Sequence, residues 1–136
     1  MSVKFDTSTI QYMRLFENVT SAKVKDCLAT QDKIIFVVYE GKLGKAIGRE
    51  SYKLKNLKSL LKKDVTIIEH SENVVQFIKN IFYRYKVKDV KIEEGRAEVT
   101  VDPLDKGKAI GKGGRNLKIA RELANRHHQI KSLVIR

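Results

Sequence analysis

Thirteen residues, Lys106 to Lys118, hold four glycines and five basic side chains. Gly111-Lys112-Gly113-Gly114 lies between the apolar residues Ile110 and Leu117. Glycines let a backbone turn sharply and come close to another chain with no Cβ in the way. Lysine and arginine supply charge for phosphate, and a helix starting after the turn would offer unpaired amides to an anion. Taken alone, such a stretch serves equally well as a surface turn ahead of a helix.

Several chemistries are excluded here. A nucleotide-binding P-loop needs Gly-x-x-x-x-Gly-Lys followed by Ser or Thr, whereas Gly107 to Gly111 is one residue short and Gly113 stands where the metal-binding hydroxyl belongs. There is no Gly-x-Gly-x-x-Gly fingerprint, no nucleophile elbow and no Cys/His cluster. Cys27 is the only cysteine, so an intramolecular disulfide is impossible, and His70, His127 and His128 lack metal-ligand spacing. No catalytic residue, metal or cofactor is expected. The acids are scattered and read as solvated surface. An enzyme holding a phosphorylated small molecule at the Gly111 turn would have no acid/base pair beside it.

Charge points elsewhere. Lys and Arg number 28 against 16 Asp and Glu, a net charge of +12 in 136 residues. That excess predicts a polyanionic partner, nucleic acid before an anionic membrane. The start, Met-Ser-Val-Lys-Phe-Asp, lacks an apolar signal core, and Ile34–Tyr39 is too short to span a bilayer. A cytoplasmic protein with no membrane partner is expected.

The elements that must position the loop follow from periodicity. Asp6-Thr7-Ser8-Thr9 offers caps for a helix whose apolar stripe runs from Ile10 to Val19. Strands are predicted over 23–28 and 33–39 around a turn at Thr30-Gln31-Asp32, then a glycine-rich turn from Glu40 to Gly48. A helix over 52–63, with Leu54, Leu57, Leu60 and Leu61 on one face, and a strand over 65–69 complete the first half. The second half runs the same course. Ser71 can cap a helix with apolar residues from Val74 to Tyr85, followed by strands over 86–93 and 96–102, the glycine turn, a helix over 115–126 and a strand over 130–135.

Residue matches establish a duplication. Val24-Lys25-Asp26 recurs as Val87-Lys88-Asp89, Gly44-Lys45-Ala46-Ile47-Gly48 as Gly107-Lys108-Ala109-Ile110-Gly111, Leu54-Lys55 as Leu117-Lys118, and Leu60 as Leu123, always 63 residues on. Each unit reads helix-strand-strand-helix-helix-strand. The boundary falls near His70/Ser71, giving units over 1–70 and 71–136. No Gly/Pro/Ser-rich linker separates them, so a fixed pair is expected. At about 65 residues each unit is near the lower limit for independent stability.

An Ile-Gly-x-x-Gly-x-x-Leu pattern between two helices, after a β-hairpin, resembles the K-homology (KH) domain, whose GXXG loop clamps single-stranded nucleotides. The element order resembles the type II arrangement, and the linker-free pair with Gly-Lys-Ala-Ile-Gly in both units resembles the NusA family, especially its short archaeal members. The resemblance covers about Thr7 to Ile135. It implies an α+β fold of two tandem type II KH domains, each a three-stranded sheet with helices on one face. It also implies a monomer that binds single-stranded RNA in transcription termination or antitermination, with RNA polymerase or the transcription complex as a further partner. The alternative is a ribosome-associated or assembly scaffold, and nothing in the residues themselves separates RNA from single-stranded DNA.

On this reading Gly111, Gly113 and Gly114 admit the RNA backbone, while Lys112 and Arg115 contact phosphates. Lys108, Lys118 and Arg121 add field at the rim, and Ile110 and Leu117 line an apolar floor backed by Val99 or Val101. Ile110 and Leu117 fit the core equally well, and Arg121 and Arg126 read rather as a solvated helix face. In the first unit Lys45, Ile47, Gly48, Arg49, Ser51 and Lys53 hold the corresponding positions. There Glu50 would repel phosphate and Ser51 disfavours positive φ, so weaker RNA binding is expected.

Overall fold

The computed structural model describes residues 7–136. They divide into two compact units, one up to Ser71 and one from Glu72 onward. The first comprises α1 (Thr7–Thr20), β1 (Val24–Ala29), β2 (Lys33–Val38), α2 (Leu43–Ile47), α3 (Tyr52–Leu61) and β3 (Asp64–Glu69). The second comprises α4 (Val74–Ile81), β4 (Val87–Glu93), β5 (Arg96–Val101), α5 (Lys106–Ile110), α6 (Arg115–His128) and β6 (Ser132–Ile135). Both units therefore follow the expected helix-strand-strand-helix-helix-strand order.

Each unit carries a three-stranded mixed sheet, ordered β1-β2-β3 or β4-β5-β6. The hairpin pair is antiparallel and the last strand returns parallel to the middle one. The repeated Val-Lys-Asp has a structural meaning. Pairing shifts register between Val24 and Asp26, and again between Val87 and Asp89, so Lys25 and Lys88 are each the extra residue of a β-bulge.

Each core forms between the sheet and the helices. In the first unit Phe16 and Phe36 pack with ring centroids 4.4 Å apart, joined by Val24, Ile34, Leu57 and Ile67. In the second, Ala97, Val99 and Val101 alternate inward along β5 and meet Ile78 of α4, Phe82 just after it, and Ala120 and Ala124 of α6. Central strand β2 differs. Its residues Ile34 to Val38 are all buried, which explains an unbroken apolar run in place of alternation.

Several local expectations are corrected. The stretch from Glu40 to Gly48 is not all turn, because α2 occupies most of it and α5 its repeat. Of the α1 cap candidates, Asp6 lies outside the described residues, and Thr7, Ser8 and Thr9 are already inside the helix. The cap of α4 is Asn73, whose side chain accepts from the amide of Gln76 at 2.9 Å, and not the buried Ser71. That helix ends at Ile81, with Phe82 at its C-cap, and the apolar stripe continues through a tightened turn in which Phe82 remains buried.

Leu60 and Leu123 share an offset but not an environment: Leu60 is 59% exposed, whereas Leu123 is fully buried. Leu60 falls at the edge of the stripe formed by Leu54, Leu57 and Leu61. The repeat also changes register inside α6, which has 14 residues where α3 has 10. Both helices stop at a left-handed residue with φ 55 and ψ 34, Lys62 and Gln129.

Candidate nucleic-acid interface

The glycine loop is built from its two flanking helices. Gly111 closes α5 by donating its amide to the Gly107 carbonyl at 3.0 Å, and Gly114 donates back to the Gly111 carbonyl at 3.0 Å. Between them the chain passes through φ +80 at Gly111, +65 at Gly113 and +77 at Gly114. All are in the left-handed region that disfavours a side chain. A Cβ at Gly111 would stand 3.0 Å from the Asn116 backbone nitrogen, so a side chain there would also crowd the first turn of α6. Gly113 is the opposite case: it is exposed, with nothing within 4 Å of a would-be Cβ. That open side is where another chain can approach the backbone.

The first loop follows the same path with different residues. Gly48 donates to Gly44 at 2.9 Å and Ser51 to Gly48 at 3.1 Å. Here the left-handed positions are Gly48 at φ +78, Glu50 at +53 and Ser51 at +61. Serine was expected to resist this conformation; the fold imposes it on both Glu50 and Ser51, and the strain stays in the loop.

The expected site residues fall into groups. Lys108, Lys112, Arg115 and Lys118 are exposed along one continuous stretch around the open loop. Ile110 and Leu117 are half-buried and pack on the core of their unit, with Val99 and Val101 fully buried in it. The N-cap of α6 is Gly114, which has no side chain to cap the helix, and the Arg115 amide donates to the Lys112 carbonyl across the loop. In the first unit Lys45 and Arg49 are exposed and Ile47, Gly48 and Ser51 half-buried.

Lys53 is placed differently from what its charge suggested. Its ammonium donates to the Thr20 carbonyl at 2.8 Å and the Lys45 carbonyl at 2.9 Å, which ties it into its own unit. Arg121 likewise is no free rim charge, since its Nε donates to the Leu133 carbonyl at 3.0 Å and links α6 to β6. Arg126 pairs with Glu122 at 2.9 Å along the helix.

Sequence reasoning missed a depression of about 290 Å³ between α6 and β6. Lys118 connects it to the loop, and Arg121, Asn125, Lys131, Ser132 and Leu133 line it. β6 is an edge strand. Glu122 and Ile130 complete the lining, so the depression is a mixed polar slot with an excess of basic groups beside the edge strand. No motif marks Lys131 or Ser132, because being an edge is a property of topology. Asn116 was missed too. Its amide nitrogen donates to the Lys108 carbonyl at 2.9 Å and the Tyr85 hydroxyl at 3.3 Å, bracing α5 against α6.

Among the described residues no group of three or more His, Cys, Asp or Glu could hold a metal ion, and no helix is long and apolar enough to cross a membrane.

Comparison with known proteins gives one consistent result. The NusA-like second KH domain family matches residues 74–135, and the KH domain family matches residues 11–77. The chain is 35% identical over 139 residues to the "Probable transcription termination protein NusA" of Methanococcus vannielii, covering 99% of this chain and 80% of that one. A protein of the same description from Halococcus morrhuae is 32% identical, with 96% of each chain covered. The crystal structure of APE1850 superposes with a TM-score of 0.77 at 31% identity, over 97% of this chain and all of that one.

Proposed function

We propose that this chain, which belongs to the NusA-like family of tandem KH proteins, binds single-stranded RNA and acts in transcription termination. The observation that carries this reading is the pair of loops that follow one backbone path 63 residues apart. In the second loop every left-handed position is a glycine, and Lys112 stands at the tip. A KH loop of this form holds the sugar-phosphate backbone of about four nucleotides.

The division of labour follows from charge and space. RNA phosphates approach over Gly113 and Gly114, where no side chain intervenes, and are neutralised by Lys112 and Arg115, with Lys108 and Lys118 at the rim. The N-terminus of α6 adds the positive end of a helix dipole. Bases turn toward Ile110 and Leu117 and into the slot between α6 and β6. The Ser132 side chain and the Asn125 Oδ1 offer hydrogen-bonding groups there, while Asn125 Nδ2 is held by the Ile130 carbonyl. Nothing in this scheme breaks a bond: the chain works by holding RNA, as a monomer, where the transcription complex can use it.

In the first unit Lys45, Arg49 and the Ile47 floor hold the same positions, but Glu50 brings a negative charge to the clamp and Lys53 is spent on carbonyls. The first loop is therefore the weaker phosphate site. Titration of labelled single-stranded RNA across a salt series tests the whole reading. If about four phosphates are neutralised, log affinity falls with log salt with a slope of about −3. Absent binding, or binding indifferent to salt, rules it out.

A further inference from the structure

The two loops differ most at the residue that opens the following helix. Where the second unit has Arg115, the first has Tyr52, 63 residues earlier. Tyr52 is 51% exposed although it carries a large aromatic ring. Its ring lies close over the backbone of Gly48, beside the Lys53 stem. A Cβ built on Gly48 would lie 2.8 Å from Cε1 and 3.0 Å from Cδ1 of the ring, so one side of Tyr52 rests on the bare Cα of that glycine. The Lys53 ammonium, held by its two carbonyls, stands 5.9 Å from the ring centroid. In the second unit the atoms closest to a Cβ at Gly111 belong to Asn116, and Arg115 is not among them.

We infer that Tyr52 is a stacking platform for an unpaired nucleobase, so that the first loop takes hold of RNA by a base and the second by phosphate. The inference rests on the RNA-binding reading above. A ring seated on glycine and half open to solvent is already ordered before a ligand arrives, so stacking on it loses little further freedom. Every base has a π-face, so the contact is sequence-tolerant. It also accounts for Glu50 beside it: a carboxylate repels phosphate but does not oppose stacking of a neutral base.

The test uses the full chain and two probes of equal length, a short single-stranded RNA and its abasic counterpart, which keeps sugar and phosphate alone. Tyr52→Leu keeps an apolar cover over Gly48 without a π-face, and Tyr52→Phe keeps the ring. The expected result is about a tenfold loss of affinity for base-bearing RNA in Tyr52→Leu, the worth of one stacked base. Tyr52→Phe should match the parent, and neither variant should change binding of the abasic strand. Equal affinity of Tyr52→Leu and parent for base-bearing RNA overturns the platform, as does a loss of the same size on the abasic strand. Failure of the parent to bind either strand overturns the RNA reading itself.

Discussion

Lys53 and Asn116, 63 residues apart, each donate a 2.9 Å hydrogen bond to the carbonyl of the lysine eight residues before, Lys45 and Lys108. The two side chains share neither charge nor shape, yet both tie the end of a five-residue helix to the first turn of the next one. Each brace closes the glycine loop from behind. In the second unit it also reaches the Tyr85 hydroxyl. Asn116→Ala is expected to lower stability by about 1 kcal/mol, the net worth of a typical intramolecular hydrogen bond. Urea denaturation measures it, and an unshifted midpoint would show that the loop needs no brace.

The strained first loop makes a prediction of opposite sign. Glu50 and Ser51 occupy the left-handed conformation that Gly113 and Gly114 take in the second loop. Glu50→Gly should therefore stabilise the chain by about 0.5–1 kcal/mol, relief of strain outweighing the added freedom of the unfolded chain. Gly113→Ala should lose about 1 kcal/mol. Gly111→Ala should lose more, about 2 kcal/mol, because its Cβ also meets the Asn116 amide. Denaturation midpoints in any other order would contradict this account of the loops.

How much of this was visible in the sequence depends on the kind of interaction. Glycines at left-handed positions leave a mark in residue type, so the second loop could be read directly, and the repeat of Gly-Lys-Ala-Ile-Gly at 63 residues led to the first, whose left-handed Glu50 and Ser51 carry no such mark. The bulges left one too, as the repeated Val-Lys-Asp. The unit order called for helices α2 and α5, but their place within the glycine-rich turns could not be read, because each contains a glycine, Gly44 or Gly107, and neither reaches two turns. The equivalence of Lys53 and Asn116 was invisible because what recurs is a carbonyl acceptor, which every residue carries. Leu60 and Leu123 mislead for a related reason: offset fixes their order along the helix, not what covers them. The slot beside β6 depends on which strand is an edge, and pairing alone decides that.

Charge reversal at the first loop tests the proposed ranking of the two clamps. Glu50→Lys removes a repulsion and adds an attraction at an exposed position. Affinity for single-stranded RNA should rise roughly three- to tenfold, two surface charge interactions' worth. An anisotropy titration that shows no gain would mean that RNA does not pass over the first loop.

Away from the loops, Glu98 offers a pH-dependent reporter of β5–β6 pairing. The Arg136 guanidinium hydrogen-bonds its carboxylate from Nη2 at 3.0 Å and Nε at 3.2 Å, and that contact holds the carboxyl below its ordinary range. Because the folded-state pKa is lowered, the stabilisation is fully present above the ordinary carboxylate value. It is lost as pH falls through the lowered one. In an NMR titration Arg136→Ala should move the Glu98 midpoint upward, and an unmoved midpoint would remove Arg136 as the cause.

If the second loop is the phosphate clamp, the double substitution Lys112→Asp with Gly113→Asp should disable it. Aspartate tolerates the left-handed conformation better than most residues, and Gly113 has open space around it, so the fold should survive, as circular dichroism can verify. Affinity for single-stranded RNA is predicted to fall by about a hundredfold or more, through lost charge, new repulsion and a blocked approach. A folded double variant that binds RNA as tightly as the parent would contradict the account.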